Sequence, residues 1–387
     1  MMLLPLAALA MLSPFQGPSL DGQVVTGLQA FSRDLVNALP VQPNRNLIAS
    51  PFSVSECLAL LLPGVGSSDA AMISKSLHMP ASVGDAGEGV RALNAQLAGT
   101  PNGELVVANS LWTGPNYSLT ATYRHTVQAQ FGAQATALPD TGPAGVKAVN
   151  DWIAAKTKGR IQNLLQQLDA ATSVVLVNAV SFDAKWQTPF ATGLTAGRPF
   201  HAGSRDVTAA TMSAHGRMMY GKGPGYQMVQ LSYASGGFSM LVLLPDGGDV
   251  SPLSVLKSLD LANMPSMNLA TVDLQLPKFK FNSRFDLMAS LNALGLASLA
   301  KRFDAGPMLG TARPMVLSQL LHAAEIEVDE NGTRAAAATI GAISGTAIIQ
   351  QPKIVQFHVD RPFAFVIVHG PTQAPLFEGA VYDPTQG

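Results

Sequence analysis

Apolar residues recur at helical spacing through the first half of this chain and in short, strand-like runs through the second. Over residues 28–39 the positions Leu28, Phe31, Leu35, Val36 and Leu39 line one face of a helix. Ser50 and Pro51 have the chemistry of a helix start, an N-cap hydroxyl followed by a ring already fixed at helical φ. Val54, Leu58, Leu61 and Leu62 then share a face. Further helices are predicted over residues 69–77, 90–97 and 146–157, and, past the break at Gly159, over residues 161–168. Residues 105–111, with their adjacent valines, predict a strand.

The second half changes period. Residues 174–182 are almost uniformly apolar, as a strand covered on both faces must be. Residues 228–231 and 238–244, joined through Gly236-Gly237, predict a hairpin. Residues 272–281 alternate, 285–294 are spaced as a helix, and 354–359 and 363–368 predict strands. Helices first and strands later predict an α+β chain with a large, mostly antiparallel sheet.

Composition narrows this picture. With 387 residues, 47% hydrophobic and only 13% charged, the chain has ample material for a core and too little charge for disorder. A net charge of −1 gives no electrostatic footprint for nucleic acid or an acidic membrane surface. Cys57 is the single cysteine and sits in the apolar stripe Ser55-Glu-Cys-Leu-Ala-Leu-Leu61, where an inert core thiol is expected. No Cys/His cluster has zinc spacing, so no metal or cofactor is expected. Seven histidines and many serines permit a Ser-His-Asp arrangement on paper. Even so, no nucleophile elbow, zinc-protease, phosphate-loop or dinucleotide motif is present, which argues against an enzyme. Residues 1–20 are expected to be a signal peptide or an apolar tail, from the short run Met1–Leu12 and the small-x-small Ala8-Leu9-Ala10. Secretion to an extracellular or periplasmic space follows from the first choice and cytoplasmic residence from the second. The run is too short to span a bilayer, so no membrane role is expected.

Residues 327–353 behave unlike the rest. An acidic strand end and a turn at Asn331-Gly332 lead into a long tract of small residues with few groups able to anchor it. Four alanines favour helix, while Thr339, Gly341, Gly345 and the β-branched residues oppose it. A loop this long is uncommon unless it has a function.

Within it, Glu330-Asn-Gly-Thr-Arg-Ala-Ala-Ala-Ala-Thr339 resembles the hinge of a serpin reactive-centre loop, where Glu-x-Gly-Thr-Glu precedes a run of alanines. Asn46-Leu-Ile-Ala-Ser-Pro-Phe-Ser53 is similar to the family's Asn-x-x-x-Ser-Pro-x-Ser segment. Asn150-Asp-Trp-Ile-Ala-Ala-Lys-Thr-Lys-Gly-Arg-Ile161 is similar to its Asn-x-Trp-Val-x-x-x-Thr-x-Gly-x-Ile helix. Val177-Asn-Ala-Val-Ser-Phe-Asp-Ala-Lys-Trp186 resembles Val-Asn-Ala-x-x-Phe-Lys-Gly-x-Trp. Leu276-Pro-Lys-Phe279, Asp360-Arg-Pro-Phe363 and Pro375-Leu-Phe-Glu-Gly379 fall in the family's order.

The resemblance implies an α+β serpin fold in one domain over residues 21–387. Its parts would be a large, mostly antiparallel central sheet, additional sheets, about eight or nine helices, and an exposed reactive-centre loop near residues 330–353. It also implies a suicide inhibitor of serine proteases, monomeric and cofactor-free, trapped as a covalent acyl-enzyme while the hinge inserts as a new strand. A non-inhibitory serpin, acting as carrier, chaperone or storage protein, is the alternative. The hinge would be Glu330, Gly332, Thr333, Arg334, Ala335, Ala336, Ala337, Ala338 and Thr339. With period two, Thr333, Ala335, Ala337 and Thr339 share one face, and all are small enough to enter a packed core. Arg334 stands where the family has Glu, on the opposite face. About fourteen residues at roughly 3.3 Å each would carry a bound protease about 45 Å.

By the same resemblance the bait bond joins Thr346 to Ala347, with Ser344, Ile348 and Ile349 left open by loop length. Between Arg334 and Lys353 there is no Lys, Arg or aromatic residue, which suits an elastase-like or subtilisin-like pocket better than a trypsin-like one. Ser53, Asn178 and His322 correspond to the polar cluster (the shutter) beneath the place where the sheet must part. Lys278 and Glu330 correspond to an ion pair at the sheet top (the breach), and Trp186 packs near it. Arg91 alone near residues 90–97 offers no basic stripe for heparin.

Overall fold

Ser50 caps its helix as the sequence predicts. Its Oγ accepts a hydrogen bond from the Ser53 N–H at 3.2 Å, and Pro51 opens the helix Pro51–Ala59. In the computed structural model every residue of this helix is buried. The structure describes residues 18–98, 105–234, 237–247, 250–333 and 354–386. The apolar start, Arg334, Ala335, Ala336, Ala337, Ala338, Thr339, Thr346 and Ala347 lie outside the described residues.

Eight α-helices are present among the described residues. Leu20–Ala38, Ser67–Ser76 and Val83–Ala98 begin earlier than their apolar spacing alone predicts, and Pro143–Lys156 carries the Trp152 segment. Ala121–Phe131, capped by Thr120 and closed by left-handed Gly132, gave no clear periodic signal.

Two large sheets form the rest. A five-stranded sheet runs in the order Phe279–Asp286, Leu317–Val328, Val174–Phe182, Leu105–Thr113, Gln134–Ala137. Its outer member Phe279–Asp286 and the pair Leu105–Thr113/Val174–Phe182 are antiparallel. Leu317–Val328 runs parallel to Val174–Phe182, and Leu105–Thr113 parallel to Gln134–Ala137. In the nine-stranded sheet every pair is antiparallel except Met267–Pro277 with Val355–His358, so antiparallel pairing dominates overall. The predicted hairpin is there as Tyr226–Ser232 and Phe238–Pro245.

Val174–Phe182 is buried along its whole length, as its apolar run requires. Val175, Val177 and Ala179 pack with Val149 and Ile153 of the helix Pro143–Lys156. Leu176 and Val180 join the main core with the helix Pro51–Ala59. Asn178 alternates with them and so faces that second helix.

Three expectations differ from the structure. Residues 161–168 form neither helix nor strand, because the Asn150 side chain grips the Leu165 backbone on both sides, accepting at 3.0 Å and donating at 2.8 Å. With Asn163 at φ +52°, Leu164 and Leu165 reach the core without a helix. The alternating run 272–281 divides at Lys278 between Met267–Pro277 in one sheet and Phe279–Asp286 in the other. Residues 285–294 are not one helix. Phe285 and Asp286 end the strand, and Asp286 accepts from the Met288 N–H at 3.0 Å to start only a short turn, Leu287–Ser290.

Candidate functional site

The seam between Val174–Phe182 and Leu317–Val328 brings Asn178 directly opposite His322. Ser53, from the helix beneath, completes the predicted trio: the Asn178 amide donates to the Ser53 carbonyl at 3.1 Å and to its hydroxyl. The His322 Nδ1–H donates to Asn178 Oδ1, while Nε2 accepts from the Ser50 N–H at 3.2 Å. That backbone donor fixes the tautomer, since a proton on Nε2 would face another N–H. Burial drives the His322 pKa down to about 3, so the ring is neutral, and it stacks on Phe285 with centroids 6.1 Å apart.

The network extends past the residues predicted from sequence. Asn178 also donates to Asn109 Oδ1 at 2.5 Å, Asn109 donates to Glu56 at 3.3 Å, and Asn94 donates to the other Glu56 oxygen at 2.6 Å. Glu56 and Asn109 are buried. The available signal was a lone Glu inside the apolar stripe around Cys57. The neighbouring Cys57 thiol is buried, and burial raises its pKa as expected for an inert core cysteine.

At the upper end of the seam the chain leaves Leu317–Val328, turns through Glu330-Asn331 and reverses. Asp329 bridges Gly332, and Gly332 and Thr333 then pair antiparallel with Lys185 and Ala184. Gly332 has φ +152°, and a Cβ there would lie 2.1 Å from the Ala184 oxygen, so this close approach requires glycine. Trp186 does more than pack. Its indole donates to the Asp329 carbonyl at 2.9 Å, and its ring stacks on Tyr233 at 4.5 Å. The Tyr233 hydroxyl bonds Thr333 Oγ1 at 2.9 Å. Lys278 donates to Glu330 at 2.8 Å, and Thr195 donates to its other oxygen at 2.7 Å. Burial alone would raise the Glu330 pKa, but these two donors outweigh it and hold the carboxyl below its ordinary value. Lys278 is over a third exposed, so the pair positions the turn more than it stabilises the fold.

Thr333 is fully buried in this structure. Gly332 and Thr333 are thus lodged at the top of the seam.

Among the described residues no group of His, Cys, Asp and Glu is arranged to hold a metal ion, and no helix is long and apolar enough to cross a membrane. The family model for serpins, described as serine protease inhibitors, matches residues 26–384. The leukocyte elastase inhibitor of Sus scrofa is 32% identical, the match covering 92% of this chain and 97% of that protein. Among solved structures, Serpin48 of the insect Tenebrio molitor superposes with a TM-score of 0.84 at 27% identity, covering 95% of this chain and all of that one. An Arabidopsis serpin in its native stressed conformation gives 0.83 at 25% identity, covering 96% and 100%. With a family match over nearly its whole length, the chain belongs to the serpin family, a family of serine protease inhibitors and not of enzymes.

Proposed function

We propose that this serpin inhibits elastase-like or subtilisin-like serine proteases as a suicide substrate, by inserting its hinge between Val174–Phe182 and Leu317–Val328. The observation that carries the reading is the lodged pair Gly332-Thr333. Two parallel strands lie side by side, and a chain that has just reversed between their upper ends runs antiparallel to both. Insertion therefore exchanges one parallel pairing for two antiparallel ones, with slightly stronger hydrogen bonds on each side.

The register supports it further. Gly332 opposes Lys185 on one side and Asp329 on the other, and those two residues are level in the frame that pairs Asn178 with His322. Continued downward, that frame sets position 335 between Phe182 and Ile326, and position 337 between Val180 and Ala324. Thr339 comes level with Asn178 and His322, where its hydroxyl can take over the bond they now share. Arg334 comes level with Asp183 and Glu327. This accounts for the departure at the hinge: this chain has Arg where the family has Glu, and Asp183 where its strand motif has Lys. The charge pair is reversed as a unit. The strand Val174–Phe182 ends level with position 343, just before the bait bond at Thr346-Ala347.

The protease serine attacks the Thr346 carbonyl, the Ala347 amine leaves, and the acyl-enzyme is dragged away as the hinge inserts. The inhibitor needs one copy of the chain and no cofactor. Secretion belongs to the same reading and rests on the apolar run Met1–Leu12.

Preincubation with pancreatic elastase, subtilisin and trypsin tests the reading. Elastase or subtilisin activity is expected to fall with time and not to return on dilution, with trypsin unaffected. Full activity of all three beside a cleaved loop would contradict it and favour a non-inhibitory, substrate-like serpin.

A further inference from the structure

Glu56 joins three elements through one carboxyl group. It is buried in the helix Pro51–Ala59, accepts from Asn94 of Val83–Ala98, and accepts from Asn109 of Leu105–Thr113. Asn109 in turn accepts from Asn178 at the seam. A line of hydrogen bonds thus runs from an outer helix to the pair that must separate on insertion. Among the described residues no Lys, Arg or His pairs with Glu56.

The ionisable groups around it are few. Cys57 follows it on the same helix, and Tyr123 of Ala121–Phe131 donates to the Leu60 carbonyl at 2.8 Å. His322 is reached through Asn109 and Asn178 and is neutral. On Val83–Ala98, Arg91 and Glu88 pair with each other at the surface. Arg124, His125 and Lys156 line a cleft with Asn109, and none of them acts on the Glu56 charge. Glu378, on a strand packed against the same helix, accepts from Ser32. None of these offers Glu56 a compensating charge, so an ionised carboxylate there must draw in water or part its neighbours.

We propose that Glu56 is a proton-controlled element of the seam: neutral, it lies beneath Leu105–Thr113 and Val174–Phe182 at little desolvation cost, and ionised, its uncompensated buried charge favours the opened state. Only the consequence for inhibition rests on the insertion reading; the loosening does not. Burial raises the Glu56 pKa to about 8 against the opposing Asn94 bond. The native state then holds a proton the unfolded chain releases above about pH 4.5, so stability is lost as pH rises toward 8. Glu378, raised by burial to about 7, acts in the same direction but fades above that value. His322 acts oppositely, and its contribution is lost as pH falls below 6.5. Above pH 7 the slope at the seam belongs to Glu56, while exposed His201, raised by Asp206, adds a loss of the same sign in the other sheet.

Hydrogen exchange on the uncleaved protein, corrected for intrinsic rates, reads this at about pH 7 and about pH 8.5. The opening constant of 105–113 and 174–182 is expected to rise, by up to about tenfold per pH unit between 7 and 8. Glu56→Gln, of nearly equal size, is expected to change less than about twofold over the same step. A Glu56→Gln protein with the wild-type response would overturn the proposal. So would a wild-type response equally large in the distant strand Met267–Pro277, a comparison that needs no variant. No protease is present, so loss of inhibition and loss of this pH response are separable failures.

Discussion

Thr333→Arg converts the chain from inhibitor to substrate: the loop is still cut, but the protease escapes. Thr333 is fully buried against Tyr233 and directly follows the glycine that fits beneath the Ala184 carbonyl. A guanidinium there has no carboxylate partner, and an unpaired buried charge costs about 3–5 kcal/mol. The lodged pair is expected to unseat while the rest of the fold survives, because only two residues make that pairing. Insertion slowed by about 3 kcal/mol is roughly a hundredfold slower, which lets hydrolysis of the acyl-enzyme win. Counting protease molecules trapped per inhibitor consumed measures the partition. Thr333→Ser keeps the hydroxyl and should trap normally, whereas wild-type trapping by Thr333→Arg would sink the lodged-hinge account. Arg334→Glu should lower trapping only severalfold. It sets a third carboxylate between Asp183 and Glu327, but their present pairs with Arg160 and Lys280 are partly exposed.

Asn178→Ala is expected to weaken the native state by about 3–9 kcal/mol, since it orphans Ser53 Oγ, Asn109 Oδ1 and the His322 Nδ1–H at about 1–3 kcal/mol apiece. All three residues are buried, so solvent does not repair the loss. A seam with its central bond removed should also open unprompted, giving self-association on mild warming. Urea unfolding with a concentration series checks both. A change under about 1 kcal/mol would mean the cluster is not what holds the strands together.

The parts of this arrangement that could be read in advance are those with a local signature. Ser50-Pro51 announces its helix, and residues 174–182 announce a strand covered on both faces. The seam itself is not local. Asn109 meets Asn178 across 69 residues and Glu56 across 53, and His322 meets Asn178 across 144. Family likeness supplied Ser53, Asn178 and His322, because their positions are marked by motifs. Glu56 and Asn94 have no such mark, and only burial reveals that one carboxyl binds both asparagines. The strand Arg205–Gly223 escaped for a different reason. Much of it is polar and partly exposed, and its pairing with Met267–Pro277 and Tyr226–Ser232 holds it extended more than its own apolar pattern does. The segment 161–168 failed in the opposite sense, its helical spacing overridden by one asparagine side chain.

Trapping of a protease through the bait loop is the central claim, and a denaturing gel with intact mass spectrometry after incubation with pancreatic elastase or subtilisin tests it most directly. The account predicts a denaturant-resistant band containing both proteins and a released C-terminal fragment that begins at Ala347. Quantitative cleavage of the loop with no such band from either protease would contradict it.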